Sequence, residues 1–214
     1  MSRPRVVVSL PGRALGALSL VLVAILTGCG GQPAESGGVN YSKLGVPVPS
    51  PSGSYKKPKP EGKAPGENAN PSQQILYDLQ ERVVRTAGVT AETEAQCAGG
   101  VITGTVDQTV TCTVTYQGLT IRYKVQITGG TPTFSWVATT DRSVLTAEGV
   151  GRAYWARYGA DATSVRCDKM PEQRLMELGK PTDFRCYHKS DQGWQEHAVM
   201  LKDGGITFRT VEPE

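Results

Sequence analysis

The sequence predicts an α+β protein made of two tandem units, each a helix packed on an antiparallel three- to four-stranded sheet with one internal disulfide. Three observations carry that expectation. Apolar residues recur at helical spacing and then switch to strict alternation. The same order returns about 70 residues later. Four of the five cysteines fall at matching places in the two copies.

The first copy opens at Asn70, a capping residue, followed by Pro71 for the first turn and by Gln73 three residues after the cap. Ile75, Leu76, Leu79, Val83 and Ala87 share one helical face, and Gly88 is a natural stop. After Cys97 the period falls to 2. In "TVTCTVTY", Val110, Cys112, Val114 and Tyr116 point one way while Thr109, Thr111, Thr113 and Thr115 form a solvent-facing row. "LTIRYKVQI" then buries Leu119, Ile121, Tyr123, Val125 and Ile127, and Gln117-Gly118 between the two runs is hairpin spacing. Gly129-Gly130 begins another turn, and "TFSWVA" offers a further strand.

In the second copy Thr146 to Tyr158 carries Val150, Tyr154 and Tyr158 at i, i+4 and i+8, with Gly159 as its stop. This helix is expected to be the weaker one, because Gly149 and Gly151 each cost about 1 kcal/mol in a helix interior. Cys167 aligns with Cys97, Cys186 with Cys112 and Gly193 with Gly118; the closing runs match Val125 with Val199 and Phe134 with Phe208. The units are therefore residues 73–138 and 139–214. Four cysteines permit three pairings, but a duplicated unit implies that each copy holds its own bridge, Cys97 to Cys112 and Cys167 to Cys186. Loops of that length contribute on the order of 3 kcal/mol each in the chain-entropy model.

Residues 1–28 have the three parts of an export signal: Arg3, Arg5 and Arg13, an apolar run over 14–26, and the small pair Thr27-Gly28. The run is about 13 residues, where a bilayer span needs roughly 20. Removing three arginines from 23 basic residues leaves them equal to the 20 acidic ones, so nothing in the charge speaks for a nucleic-acid partner. Leu26, Thr27, Gly28 and Cys29 resemble the bacterial lipobox. The resemblance implies acylation of Cys29 and a lipid bilayer as partner, at the extracytoplasmic face of the cell membrane. Two acyl chains anchor stably at about 0.8 kcal/mol per buried CH₂. Residues 29–72 carry eight of the 14 prolines, glycine pairs and the lysine cluster Lys56, Lys57, Lys59 and Lys63, and read as a disordered tether.

The combination of Gly88, Cys97, Gly104, Cys112 and Gly118, with Gly159, Cys167, Gly179, Cys186 and Gly193 in the second copy, resembles a small Cys-paired domain of unknown function found in actinobacterial lipoproteins. That resemblance implies fold and location and no chemistry. In architecture alone, two tandem units with one disulfide each are similar to secreted β-lactamase inhibitor proteins, although the Gly-Met-Thr helix-start motif of those inhibitors is absent.

Candidate sites are few. His188 and His197 lack the close spacing of structural metal sites, so neither a metal nor any other cofactor is expected. Gly-x-Ser-x-Gly is absent, and carboxylate pairs such as Glu92 with Glu94 or Asp183 with Glu196 arise by chance among 20 acids. Catalysis is therefore not expected. Trp194, Trp136 and Trp155 are the candidate partner-binding residues, Trp194 first because it opens a strand after the Gly193 turn. The expected function is a non-enzymatic binding or interaction module for an envelope protein or wall polymer. The alternative, from the inhibitor-like architecture, is an inhibitor or sensor of a secreted enzyme.

Overall fold

The computed structural model describes residues 40–41, 44–99, 101–130 and 133–212. The expected signal segment and Cys29 lie outside these residues. Helix α1 (Pro71–Ala87) forms as its ends dictate. The Gln73 N–H donates to Asn70 Oδ1 at 2.9 Å, the Asn70 N–H donates back to Gln73 Oε1 at 3.2 Å, and Gly88 closes the helix in the left-handed region at φ 74°. Its buried face is Ile75, Leu79, Val83, Val84 and Ala87; Leu76 is only half-buried.

Strands β2 (Thr93–Cys97), β3 (Gln108–Tyr116), β4 (Leu119–Thr128) and β5 (Ser135–Thr139) follow as an antiparallel meander in chain order. Alternation decides which side faces α1: Cys112, Val114, Tyr116, Ile121, Tyr123, Val125 and Ile127 are all buried. The hairpin turn sets both Gln117 (φ 45°) and Gly118 (φ 83°) left-handed, the twist a two-residue connection favours.

The remaining elements are β6 (Arg142–Thr146), α2 (Ala147–Tyr158), β7 (Ser164–Cys167), β8 (Gln173–Glu177), β9 (Pro181–Ser190), β10 (Gly193–Lys202) and β11 (Gly205–Thr210). β7, β9, β10 and β11 form a second antiparallel sheet in that order, and β6 pairs with β8 in a separate two-stranded sheet.

Two tandem helix-on-sheet units are not what forms. The fold is mostly antiparallel sheet, with eleven strands in three sheets and two helices among the described residues, and Val39–Glu214 is one compact unit. Helix α1 packs on β6 and β11 as well as on β2 and β3. Strand β6 explains the intermixing. Its Val144 joins the core under α1, while the next residue, Leu145, joins the core of α2 and the second sheet. Leu175 of β8 also packs against the first core. A cut at 138/139 would thus strip the first core of apolar cover.

What does recur is the disulfide-pinned meander. Cys97 lies directly opposite Cys112 in the β2–β3 ladder and Cys167 opposite Cys186 in the β7–β9 ladder, and both pairs are bonded as the duplication implies. The alignment of Val125 with Val199 stands, but Val125 faces Ala138 and Val199 faces Phe208, so Phe208 takes the place of Ala138 rather than of Phe134. The connection over 129–134 in the first meander is longer than the Asp203-Gly204 turn in the second, which shifts the fourth strand.

The tether departs most from expectation. Strand β1 (Val46–Pro47) adds to the free edge of β7, the Val48 N–H donates to the Val165 carbonyl at 3.0 Å, and Arg166 donates through Nε and NH2 to the carbonyls of Leu44 (2.6 Å) and Gly45 (3.0 Å). Further along, Pro58 and Pro60 are buried. The expectation of disorder rests on the lack of apolar periodicity. A strand edge needs none, because it offers backbone hydrogen bonds to any extended chain.

Candidate functional site

The three tryptophans are all half-buried, and each is engaged by another part of the chain. Trp194 stacks on Tyr41 at a centroid distance of 6.2 Å, and Tyr41 also meets Tyr187 at 6.0 Å. Trp155 donates through Nε1 to the Val48 carbonyl at 3.0 Å. Trp136 lies under the Arg82 guanidinium at 5.2 Å. They do not form one surface: Trp194 and Trp155 hold the N-terminal segment, and Trp136 belongs to α1 and the first sheet.

That segment creates a groove over α2. Residues 47–56 arch over the first turns of α2 and enclose about 800 Å³, within the size range of small-ligand sites. One wall is prolines, serines and Tyr55; the other is Ala147, Gly151 and the ion pair of Glu148 with Arg152 at 2.8 Å. Of the two glycines that read as helix weaknesses, Gly151 lines this groove and Gly149 meets the end of α1. A Cβ on Gly151 would stand 2.8 Å from Val48 Cγ1, and one on Gly149 would stand 1.9 Å from the Ala87 carbonyl oxygen. The same carbonyl accepts the Thr146 hydroxyl at 2.7 Å, so the start of α2 is seated on the end of α1. Propensity is given up here for close approach.

A second feature is a buried polar cluster. The Tyr154 hydroxyl lies 3.0 Å from His188 Nδ1 and 2.8 Å from His197 Nδ1, and the Tyr158 ring lies 4.9 Å from one imidazole and 4.3 Å from the other. Both histidines are almost fully buried, at 3% and 2% exposure. A phenol has one proton, so it donates to one Nδ1 and accepts from the other ring's Nδ1–H; the two neutral imidazoles are thereby held as opposite tautomers. Burial holds His197 down to about 4, with the neighbouring His188 adding to the effect. Burial also lowers His188, against a weaker upward pull from Asp161, and burial pushes the Tyr154 phenol up. The sequence held a signal for this cluster. His188 is two residues from bridged Cys186 on the same strand, so its side chain must face the core, and Tyr154 and Tyr158 share the facing side of α2.

Among the described residues no three His, Cys, Asp or Glu side chains converge as a metal site, and no helix is long and apolar enough to cross a membrane. Glu196 is paired with Arg185 at 3.2 Å rather than with Asp183. Comparison with protein-family models, curated proteins and solved structures finds no match to this chain.

Proposed function

We propose that the chain is a membrane-anchored extracytoplasmic lipoprotein whose folded part is a non-enzymatic binding module of the cell envelope. The observation that carries this is the cysteine pairing. Two cross-strand bridges use four of the five cysteines and leave Cys29, which follows an apolar run and small residues, as the one cysteine outside the folded unit. A thiol left over in an exported chain is available for acylation. The groove between residues 47–56 and α2 is the best candidate for ligand capture, since it sets proline and Val48 surface beside serine hydroxyls and the Glu148–Arg152 ion pair.

The docked segment changes the tether's reach. Only the chain between Cys29 and the described residues remains to span from bilayer to body, and 11 residues to Asn40 extend at most about 40 Å. The module therefore works close to the membrane surface. In the host cell, Cys29→Ala should move the protein from the detergent-soluble membrane fraction to the medium or leave it unprocessed. Unchanged membrane retention overturns the proposal.

A further inference from the structure

We propose that the outward face of the β7–β9–β10–β11 sheet is the face this protein lays against the lipid bilayer, with the rings of Tyr41 and Trp194 at the headgroup boundary. The inference rests on the anchoring through Cys29 proposed above and adds to it the orientation of the body.

Strand alternation sorts the side chains of that sheet. Cys186, His188 and His197 are buried toward α2, so Tyr187, Lys189, Trp194 and Glu196, which alternate with them, look the other way. Register sets Trp194 opposite Lys189, and Tyr187 opposite both Glu196 and Arg166. The N-terminal segment crosses this outward face. Tyr41 stacks on Trp194 at 6.2 Å and meets Tyr187 at 6.0 Å, and Arg166 donates to the carbonyls of Leu44 and Gly45. The chain that leads back to Cys29 therefore leaves the body from here.

That exit point decides which face meets the membrane most often. Eleven residues from Cys29 to Asn40 extend at most about 40 Å, and a short tether holds its cargo at an effective concentration on the order of millimolar. A weak contact is then enough. Tyr and Trp, each an apolar ring with a polar handle, collect at membrane interfaces, and both Tyr41 and Trp194 keep part of their surface exposed. The outward face of the first sheet has no such group: its β3 row is Thr109, Thr111, Thr113 and Thr115, and its aromatic residues Tyr116, Tyr123 and Trp136 turn inward. Charge is balanced around Trp194, where Arg185, Lys189 and Arg209 are offset by Asp183, Glu196 and Asp191 of the adjoining turn, so the contact is one of rings and not of anionic lipid.

The test couples Cys29, the one cysteine outside the two bridges, to a maleimide-bearing lipid in phosphatidylcholine vesicles, using the chain from Cys29 onward. The compact unit begins at Val39, so this chain keeps all of it. The tether is then formed whether or not the cell acylates Cys29, and fractionation of Cys29→Ala in the host decides the anchoring separately. With phospholipid brominated near the top of its acyl chains, part of the tryptophan emission should be quenched, and added salt should leave that quenching unchanged. Trp194→Phe should abolish it, since Trp136 and Trp155 lie away from this face. Tyr41→Glu, outside every strand, keeps Trp194 and should weaken the quenching several-fold by setting a charge at the boundary; it decides the matter if Trp194→Phe does not fold. Absence of quenching in the tethered wild type, quenching that salt removes or that persists in a folded Trp194→Phe, or quenching unaltered by Tyr41→Glu overturns the proposal.

Discussion

Acidification tests the Tyr154–His188–His197 cluster. A free imidazole titrates near 6.5, whereas His197 in the fold titrates at about 4 because its charged form is desolvated and sits beside His188. Between those values the unfolded chain binds a proton that the folded chain does not. Stability therefore rises with pH through this window, is complete above about 6.5 and is lost as pH falls toward 4. A shift from 6.5 to about 4 corresponds to roughly 3 kcal/mol, of which about 2 kcal/mol falls between pH 6.5 and 4.5. His188, lowered for the same reason, adds in the same direction. Carboxylates begin to protonate at the lower end of this range, Asp78 with its burial-raised proton affinity among them, so the assignment to the histidines rests on the variant that lacks them. Urea unfolding followed by tryptophan fluorescence should show the midpoint falling by about 1 M from pH 6.5 to 4.5, at a slope of about 2 kcal/mol per M. His188→Gln with His197→Gln should flatten the dependence even if it lowers the midpoint overall. A wild-type midpoint that is flat across this range, or a double variant that keeps the full slope, would refute the reasoning.

Two substitutions probe how the segment before α1 and the two helices are seated. Gly149→Ala should destabilise the protein by about 1–3 kcal/mol in urea unfolding, although alanine is the better helix former by about 1 kcal/mol, because its Cβ would overlap the Ala87 carbonyl; a raised midpoint would show that the contact gives way freely. Trp155→Phe removes the donor to Val48 and, with it, about 1 kcal/mol of the attachment. Trypsin should then cut faster after Lys56, since Lys57 and Lys59 are each followed by proline and resist it, while the disulfide-bonded body stays intact; unchanged cleavage would place the hold on the β1–β7 pairing alone.

The parts legible in the sequence are those fixed by short-range pattern. Helix α1 was readable because its cap, face and stop are all local, and the β3–β4 hairpin because its two faces differ at every residue. Pairing of cysteines followed from duplication, which is a property of the whole chain rather than of spacing. Strands β6 and β8 were not legible. Each has five residues, they pair across α2 and β7, and β6 divides its apolar side chains between two cores, so neither shows a clean alternation. The glycines of α2 were legible as costs and illegible as contacts, since propensity says nothing of the Ala87 carbonyl and Val48 that approach them. Of the candidate site, the tryptophans were found but their covers were not, because Tyr41 and Val48 come from a stretch whose composition suggested no structure.

That stretch follows a logic that composition hides. β7 pairs with β9 on one side and would otherwise leave its other edge open to any extended chain. A strand rich in Val or Thr laid along it would only move the open edge outward. A proline-rich one ends the sheet: Pro47 sits within β1, Pro49 and Pro51 follow at once, and none of them has an N–H to offer a further strand. The segment also needs little apolar surface of its own, since Arg166, Trp155 and the β7 backbone supply the bonds that hold it. Under the proposed lipid anchoring, which would concentrate the protein on a membrane, edge-to-edge association would be a hazard, and the same residues that lead back toward Cys29 are the ones that close the edge.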